Sequence, residues 1–358
     1  MNAVFELHEI EPSLPLQADT GIVLGTRFAG PVVRRYARHN FSLPTQHFTA
    51  RRVVLDPVTA MVFHEGAPLP WSCFFGPYDL RVPGDWSAAE VRQRNGCQTI
   101  NGRRVYCGFN RHWRNYAHWI TQCVPAIAGY AMEPGFADGV LLLPEISAAY
   151  EQALTLAGIA LPEVVYVDMD QALAVDELVY SSLLLHHFAP SVLARQVFAR
   201  MVAAVMAEPD TTAGNDRIYV CRIDSTARPM TNESELICLL AEHGIEPVVP
   251  GSMPLPEQIR RFHAASLVVG PHGAGLGNIV FCRPGSVMYE LIPDHWTNSF
   301  VGPSINLFAQ TSSMHYWADA HPAHGTFAQY GHQVPWTADL AVTEQRLAQI
   351  TAAHPWHS

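Results

Sequence analysis

The stretch of sequence that decides the fold reads GPHGAGLGN and occupies residues 270–278. It follows the apolar run ASLVV (265–269) and precedes IVFCRPG (279–285). This pattern is typical of a buried strand that ends in a glycine-rich turn and continues into a helix. In an open parallel sheet, ligands bind beyond the carboxyl ends of the strands, so the turn lies where a ligand would bind.

Two interpretations of this turn follow from its residues. Gly270, Gly273 and Gly275 would let the backbone approach a ligand, and the helix from Ala274 would direct free N–H groups at a phosphate. Alternatively, the glycines serve only a tight turn of the kind found in every such fold. His272 favours the ligand-binding interpretation, because a polar residue between glycines at the ligand edge is poorly explained as core.

Strands and helices alternate around this turn. Asn232 is predicted to cap the helix 232–244 and Gly244 to end it. The predicted strands are RIYVCR (217–222), EPVVP (246–250), SLVVG (266–270) and SVMYELI (286–292), and the predicted helices are 232–244, 256–265 and a short one at 274–281. This alternation is typical of a parallel sheet with helical crossovers.

A second alternating series lies earlier in the chain. Its strands are predicted at GVLLLP (139–144) and EVVYVD (163–168), and its helices at 115–130 and 147–159. The stretch 176–190, followed by a long helical run over 191–209, is interpreted as a connection. Two series of this kind predict an α/β protein with two Rossmann-like halves.

The predicted domains are an N-terminal domain over residues 1–208 and a Rossmann-like domain over 209–335. A C-terminal amphipathic helix within 336–358 is expected to pack back on the N-terminal domain. The first hundred residues are rich in proline and aromatic residues, which favours short strands and turns over helices.

Composition excludes several classes of protein. The chain has 358 residues, of which 49% are hydrophobic and 15% charged, and a formal net charge of -10 argues against broad nucleic-acid binding. Seven cysteines without a CxxC pair indicate reduced thiols. No signal peptide and no apolar run of about 18 residues is found, so a cytoplasmic location is expected, with peripheral contact at the inner face of a membrane left open.

The run GPHGAGLGNIVFCRPGSVMYELIP (270–293) resembles the signature of glycosyltransferase family 61, whose usual form is HGAGLTN, a PG turn and a strand ending in Glu. The preceding run, 217–269, is similar to the same family, and NYAHWITQCVPAI (115–127) resembles its NYxHWxxExLPRL motif. The resemblance covers roughly residues 105–320.

The chain departs from this pattern at four positions. Gly277 replaces the usual threonine, and Pro229 stands where a second basic residue is common. Gln122 and Ala126 stand where the family often has Glu and Arg.

The resemblance implies a GT-B fold, two Rossmann-like domains with a cleft between them. It also implies an inverting transfer from a nucleotide-sugar, expected to be a UDP-sugar, to a hydroxyl of a glycan, glycolipid or polysaccharide. The donor diphosphate is expected to bind at the turn, assisted by arginines at the ligand edge. The expected donor-binding residues are Arg222, Arg228, His272, Gly273, Ala274, Gly275, Asn278 and Glu290. Helix fastening remains an alternative for Asn278, and a buried pairing for Glu290.

The proton of the acceptor hydroxyl requires a base, and the first domain offers His118, whose intrinsic pKa is near neutral. Asn115, three residues earlier, is predicted to orient it. A satisfied core histidine is the alternative.

Asp168 and Asp170 form a DxD pair of the kind that binds a divalent metal in other glycosyltransferases. Short acidic pairs also arise by chance, and this one lies in the other predicted domain from the phosphate turn. No cofactor and no metal requirement are therefore expected. A catalytically inactive carbohydrate-binding or scaffold protein, and a transferase of another group to sugars, remain alternative functions.

Overall fold

The structure is a computed structural model that describes residues 5–12, 22–25, 27–28, 44–74, 96–185, 191–209, 214–223, 225–297, 304–330 and 333–355. The chain forms two compact units. The first unit is Met1–Leu14 with Ser42–Ala204, and the second unit is Pro15–Phe41 with Val205–Ser358. Each unit contains its own β-sheet.

The first sheet mixes parallel and antiparallel strands. Its order is β5-β4-β3-β9-β6-β7-β8, with β1 beside β3. Strands β9, β6, β7 and β8 are parallel, whereas β3 pairs antiparallel with β9, β4 and β1. The strands are β1 Phe5–Glu11, β3 Thr45–Leu55, β4 Val62–His64, β5 Ala67–Pro68, β6 Cys97–Cys107, β7 Val140–Leu143, β8 Glu163–Tyr166 and β9 Ala172–Ser181.

The interpretation of 176–190 as a connection is wrong in its first part, because β9 (Ala172–Ser181) lies inside the sheet between β3 and β6. Its central residues, Leu178, Val179 and Tyr180, are buried. The sequence of this segment resembles a loop because it contains the acidic pair Asp176–Glu177 and ends in serines. It forms a strand only because it pairs with two strands that are remote in the chain. Residues 186–190 lie outside the described part of the chain.

The helices of the first unit fall where apolar periodicity predicts them. The helical segments are Tyr116–His118, a π-helical turn Trp119–Cys123, Val124–Tyr130, Ala148–Leu156 and Val192–Met206, with 3-10 turns at Pro70–Ser72, Phe136–Asp138 and Ser182–Leu184. The predicted apolar face of 115–130 is fully buried: Trp119, Ile120, Val124 and Ile127.

The second sheet is parallel throughout its described strands, with the order β11-β10-β12-β13-β14-β2. Its strands are β2 Ile22–Leu24, β10 Arg217–Val220, β11 Glu246–Val248, β12 Leu267–Pro271, β13 Val287–Pro293 and β14 His315–His321. Its helices are Glu233–Glu242, Leu255–Ala264, Asp294–Thr297, Ser304–Thr311, Phe327–Tyr330 and Leu340–Ala353, with 3-10 helices at Pro250–Ser252 and Ala274–Phe281. The α/β class is confirmed.

The C-terminal helix Leu340–Ala353 packs within the second unit. Leu347 and Ile350 belong to the same buried cluster as Tyr219, Leu236 and Leu240. The helix therefore completes the apolar layer over this parallel sheet.

Asn232 does not cap the helix Glu233–Glu242 with its side chain. Its amide instead donates to the Ala338 carbonyl and accepts from the Ala338 N–H, at 2.9 and 2.8 Å. Gly244 ends this segment as predicted, with a positive φ of 67°.

All seven cysteines are free thiols, and five of them are buried. Within the described ranges, no helix has the length and apolar character needed to cross a membrane.

Candidate active site

The glycine-rich turn lies at the carboxyl end of β12, and its histidine is held by a buried carboxylate. Nδ1 of His272 is 2.5 Å from Oε1 of Glu290, which lies on the neighbouring strand β13. The hydroxyl of Tyr316, on β14, donates to the other oxygen of Glu290. Glu290 and Tyr316 are fully buried, so three adjacent strands fix the orientation of the imidazole.

Glu290 thus takes the buried-pairing role that was the alternative to a direct contact with the donor. Both of its oxygens accept hydrogen bonds from His272 and Tyr316. Its effect on a ligand would be transmitted through His272. Among the described residues, none hydrogen-bonds Nε2 of His272, and 7% of this residue is exposed.

Two arginines meet at the backbone of the same turn. Arg222 Nη1 donates to the His272 carbonyl at 3.2 Å, and Arg228 Nη2 donates to the same carbonyl at 3.3 Å. Arg222 also donates to the hydroxyl of Ser225 and to the carbonyl of Ala227. Both predicted arginines therefore lie at the turn, with their positive charges at the start of the helix that follows.

Gly273 makes this approach feasible because it has no side chain. A Cβ at this position would lie 1.9 Å from Nη1 of Arg222. Its φ of 170° is extended backbone that any residue adopts, so space rather than backbone conformation requires glycine here. A Cβ at Gly275 would instead meet Cγ1 of Val220 at 3.0 Å.

The predicted short helix is a 3-10 helix, Ala274–Phe281, with Gly273 at its N-cap. Its first N–H groups have no intrahelical acceptor, as at any helix start. Ala274 and Gly275 are partly exposed. Donation from this backbone to an anion stays a prediction.

Asn278 takes the fastening role. It is fully buried, and its amide donates to Oε1 of Gln258 at 2.9 Å and to the Gly275 carbonyl at 3.3 Å. These bonds tie the 3-10 helix to the helix Leu255–Ala264. A direct contact between Asn278 and a ligand does not follow from this placement.

Trp296 is a residue of this site that the sequence analysis missed. The guanidinium of Arg228 lies 4.9 Å from the centre of its ring, and the His272 ring lies 5.9 Å away. The indole therefore makes a cation–π contact with the guanidinium of Arg228. No local pattern marked this tryptophan, because it reaches the turn from the segment after β13.

Burial, followed by the nearby charge of Arg222, lowers the pKa of Arg228 to about 10. Arg228 still carries its charge at pH 7. Burial also lowers the pKa of His272, although Glu290 opposes the shift. At this turn the arginines thus supply the positive charge that an anion would require.

In the first unit, the predicted base His118 is held by Gln122, four residues later in the helical segment. Nδ1 of His118 lies 2.6 Å from Oε1 of Gln122. The same oxygen accepts from Nδ2 of Asn110 at 2.9 Å, and Nε2 of Gln122 donates to the Leu185 carbonyl at 2.6 Å.

These contacts fix the tautomer of His118. Since the Leu185 carbonyl can only accept, Gln122 must direct its NH₂ group there and its oxygen at His118. His118 therefore donates from Nδ1, which leaves the lone pair on Nε2. A neutral imidazole with a lone pair on Nε2 has the form that a general base requires.

The predicted orienting role of Asn115 is wrong. Its Oδ1 accepts from the Ala117 N–H at 3.0 Å, which makes it the N-cap of the helical segment that begins at Tyr116. Spacing of three residues placed it near His118, but the capping geometry turns its amide to the backbone. Gln122 performs the role instead.

A second histidine lies against His118. The rings of His112 and His118 are stacked, with their centres 5.2 Å apart. The centre of the Phe74 ring lies 4.8 Å from that of His112 and 5.6 Å from that of His118. Burial lowers the pKa of His118, while the bond to Gln122 opposes the shift. Burial, with His118 and Arg111 nearby, lowers the pKa of His112 to about 4.

The DxD pair forms a local turn. Oδ1 of Asp168 accepts from the Asp170 N–H, and Oδ2 accepts from Nε2 of Gln171, both at 2.9 Å. In the described part of the chain, no three His, Cys, Asp or Glu side chains are grouped so that they could hold a metal ion. The pair is thus explained as a turn.

A comparison with known protein families concerns both the glycine-rich turn and the surroundings of His118. The family model described as Glycosyltransferase 61 matches residues 116–289. The match begins two residues before His118 and includes Arg222, Arg228 and His272. No curated protein matches the chain.

Proposed function

Since this chain carries a glycosyltransferase family 61 domain and is a glycosyltransferase, we propose that it moves a sugar from a UDP-sugar to a hydroxyl group with inversion. The proposed acceptor is a glycan, a glycolipid or a polysaccharide. The observation that carries the proposal is the convergence of Arg222 and Arg228 on the carbonyl of His272, at the start of the 3-10 helix.

The two arginines and the helix start would bind the diphosphate of the donor. When the bond between the anomeric carbon and the phosphate oxygen breaks, that oxygen keeps the electron pair. Two permanent cations and free N–H groups stabilise this developing charge. His272, whose Nδ1 donates to Glu290, would accept a hydrogen bond from a sugar hydroxyl through Nε2.

His118 would take the proton of the acceptor. As the acceptor oxygen forms its bond to the anomeric carbon, its proton moves to the lone pair on Nε2 of His118. Gln122, by accepting the hydrogen bond from Nδ1, would keep the lone pair on Nε2. One displacement of this kind inverts the anomeric carbon.

The proposal includes a GT-B arrangement, independence of divalent metal and a cytoplasmic location with peripheral membrane contact. The metal independence rests on the positive charge that Arg222 and Arg228 supply where a cation would otherwise neutralise the diphosphate. It also rests on the local bonds that occupy Asp168.

Binding of UDP by isothermal titration calorimetry tests the donor half of the proposal. Arg228→Gln should weaken UDP binding by about 10-fold or more, the effect of losing a charge-assisted hydrogen bond. Arg283→Gln is the control, because among the described residues the side chain of Arg283 donates only to the backbone of Ala264. Equal affinity of wild type and Arg228→Gln would contradict the assignment.

Turnover of UDP-sugars tests the proton-transfer half. His118→Ala should lower kcat by about 10²–10⁴-fold and leave the affinity for UDP unchanged. His64→Ala, at a partly buried histidine of β4, is the control. If His118→Ala and wild type turn over donor equally, His118 is not the base.

A further inference from the structure

The backbone that carries Arg228 is held by a segment from near the C-terminus, residues 334–338, which we call the C-terminal strap. Trp336 pairs with Met230 in a parallel bridge and with Ala323 in an antiparallel one. The strap therefore lies between the loop after β10 and the turn after β14.

Arg228 has a backbone conformation that needs support. Its φ of 52° is in the left-handed region, which an arginine adopts at a cost. Such a residue keeps that conformation only where its surroundings impose it. The side chain of Arg228 reaches the His272 carbonyl from this backbone position.

Trp336 supplies that support directly. Its indole Nε1 donates to the Arg228 carbonyl at 2.9 Å, and its backbone N–H donates to the Pro229 carbonyl at 3.1 Å. Its own carbonyl accepts from the N–H of Thr231 at 2.8 Å. Trp336 is 1% exposed, so these bonds are made in a buried environment where they are strong.

The flanking residues anchor the strap on both sides. The hydroxyl of Thr231 lies 2.6 Å from that of Thr337, and Ala338 makes two hydrogen bonds with the amide of Asn232. On the other side, the His324 N–H donates to the Pro335 carbonyl. The strap and the loop 228–232 are thus joined by hydrogen bonds along their length.

We propose that Trp336 is a positioning residue for the diphosphate site, and that it acts by holding Arg228 in the conformation that reaches the turn. This inference rests on the proposed function, because it assumes that Arg228 contacts the donor. It extends the functional site to a residue beyond the range 116–289 that the family model matches.

The test is a double-mutant cycle read by UDP binding in isothermal titration calorimetry. Trp336→Phe removes the five-membered ring with its N–H and keeps a six-membered aromatic ring, and we expect the Kd for UDP to rise about 2- to 10-fold. In an Arg228→Gln background, the same substitution should leave Kd unchanged, because the group that it positions is absent. A general loosening of the unit would instead weaken UDP binding equally in both backgrounds, and this would overturn the inference.

Trp317→Phe is the matched control. Trp317 lies in the same buried cluster, and its indole N–H donates to none of the described residues. It should leave Kd within about 2-fold of wild type. Should Trp336→Phe not fold, Thr231→Val removes a hydroxyl that bonds to two groups of the strap, the Trp336 carbonyl and the Thr337 hydroxyl. This substitution, at an exposed position, should raise Kd to a smaller extent, again only when Arg228 is present.

The outcomes separate this inference from the proposed function. If Arg228→Gln weakens UDP binding but neither Trp336→Phe nor Thr231→Val does, the positioning role is wrong and the proposed function stands. If the wild-type protein does not bind UDP, both are wrong.

Discussion

His118 donates from Nδ1 to Gln122, and burial lowers the pKa of its imidazole below the usual 6.5. The imidazole of His118 must be neutral to accept a proton, so activity should be lost only as the pH falls through this lowered pKa. We therefore expect kcat/KM to be constant between pH 8 and 6.5 and to decline below that. A profile measured with a saturating acceptor checks this, and a decline centred above pH 6.5 would contradict it.

Gln122 offers a second test at a single residue. Gln122→Met keeps the length of the side chain and removes the bond that selects the tautomer of His118. We expect kcat to fall about 10-fold or more, but by less than in His118→Ala, with the Kd for UDP unchanged. Gln152→Met, at an exposed position of the helix Ala148–Leu156, is the control. Unchanged kcat would mean that the amide does not orient the base.

The position of a single residue can be predicted from the sequence more readily than its contacts. Arg222 and Arg228 were expected at the turn, and both lie there. The partners of these groups were not predictable, because Trp296 and Trp336 reach Arg228 from other parts of the chain.

At the scale of the element, Asn115 caps the helical segment that begins at Tyr116. Asn115→Ala should lower the free energy of unfolding by about 1 kcal/mol, the usual effect of losing such a cap, and should leave kcat/KM nearly unchanged. Urea denaturation together with initial rates checks both. A large loss of kcat at unchanged stability would restore the orienting role.

The glycine-rich turn gives a prediction for a whole strand-to-helix junction. Gly273→Ala would place a Cβ 1.9 Å from Nη1 of Arg222 and so displace the guanidinium. We expect UDP affinity to fall about 10-fold, with little change in melting temperature, because the backbone there is extended. Gly275→Ala, whose Cβ would meet Val220 rather than an arginine, should have the smaller effect on affinity. The reverse order would contradict the role of Gly273.

Some strands can be predicted from their own residues, and others cannot. Four of the six described strands of the second sheet, β10 to β13, are short apolar runs bounded by turn residues, and these four were predicted, whereas β2 and β14 were not. Strand β9 was missed because its serines and acidic pair gave no strand pattern, and because its partners β3 and β6 are remote in the chain. Strand pairing at that distance is a tertiary property.

For the whole molecule, the proposal predicts activity without a divalent metal. Turnover should stay within about 2-fold of its initial rate in excess EDTA, since Arg222 and Arg228 supply the charge that a cation would otherwise provide. Asp168→Asn should leave the KM for the donor unchanged, because both oxygens of Asp168 already accept local hydrogen bonds. Loss of activity in EDTA that Mn²⁺ or Mg²⁺ restores would refute metal independence.

The sequence by itself determined the α/β class, most of the parallel strands, the glycine-rich turn and the resemblance to the family whose model matches the turn. These features depend on apolar periodicity, turn residues and motifs within about 25 neighbouring residues, so they can be recognised locally.

Only the tertiary structure decided which groups act on one another. In the structure, Glu290 hydrogen-bonds His272, Gln122 hydrogen-bonds His118, and Trp336 hydrogen-bonds the backbone of Arg228. The C-terminal helix packs within the second unit. A side-chain hydrogen bond depends on atoms within about 3 Å. For Glu290 and Trp336, packing of segments far apart in the chain sets that distance. For Gln122, the buried bonds to Asn110 and Leu185 set the orientation of the amide.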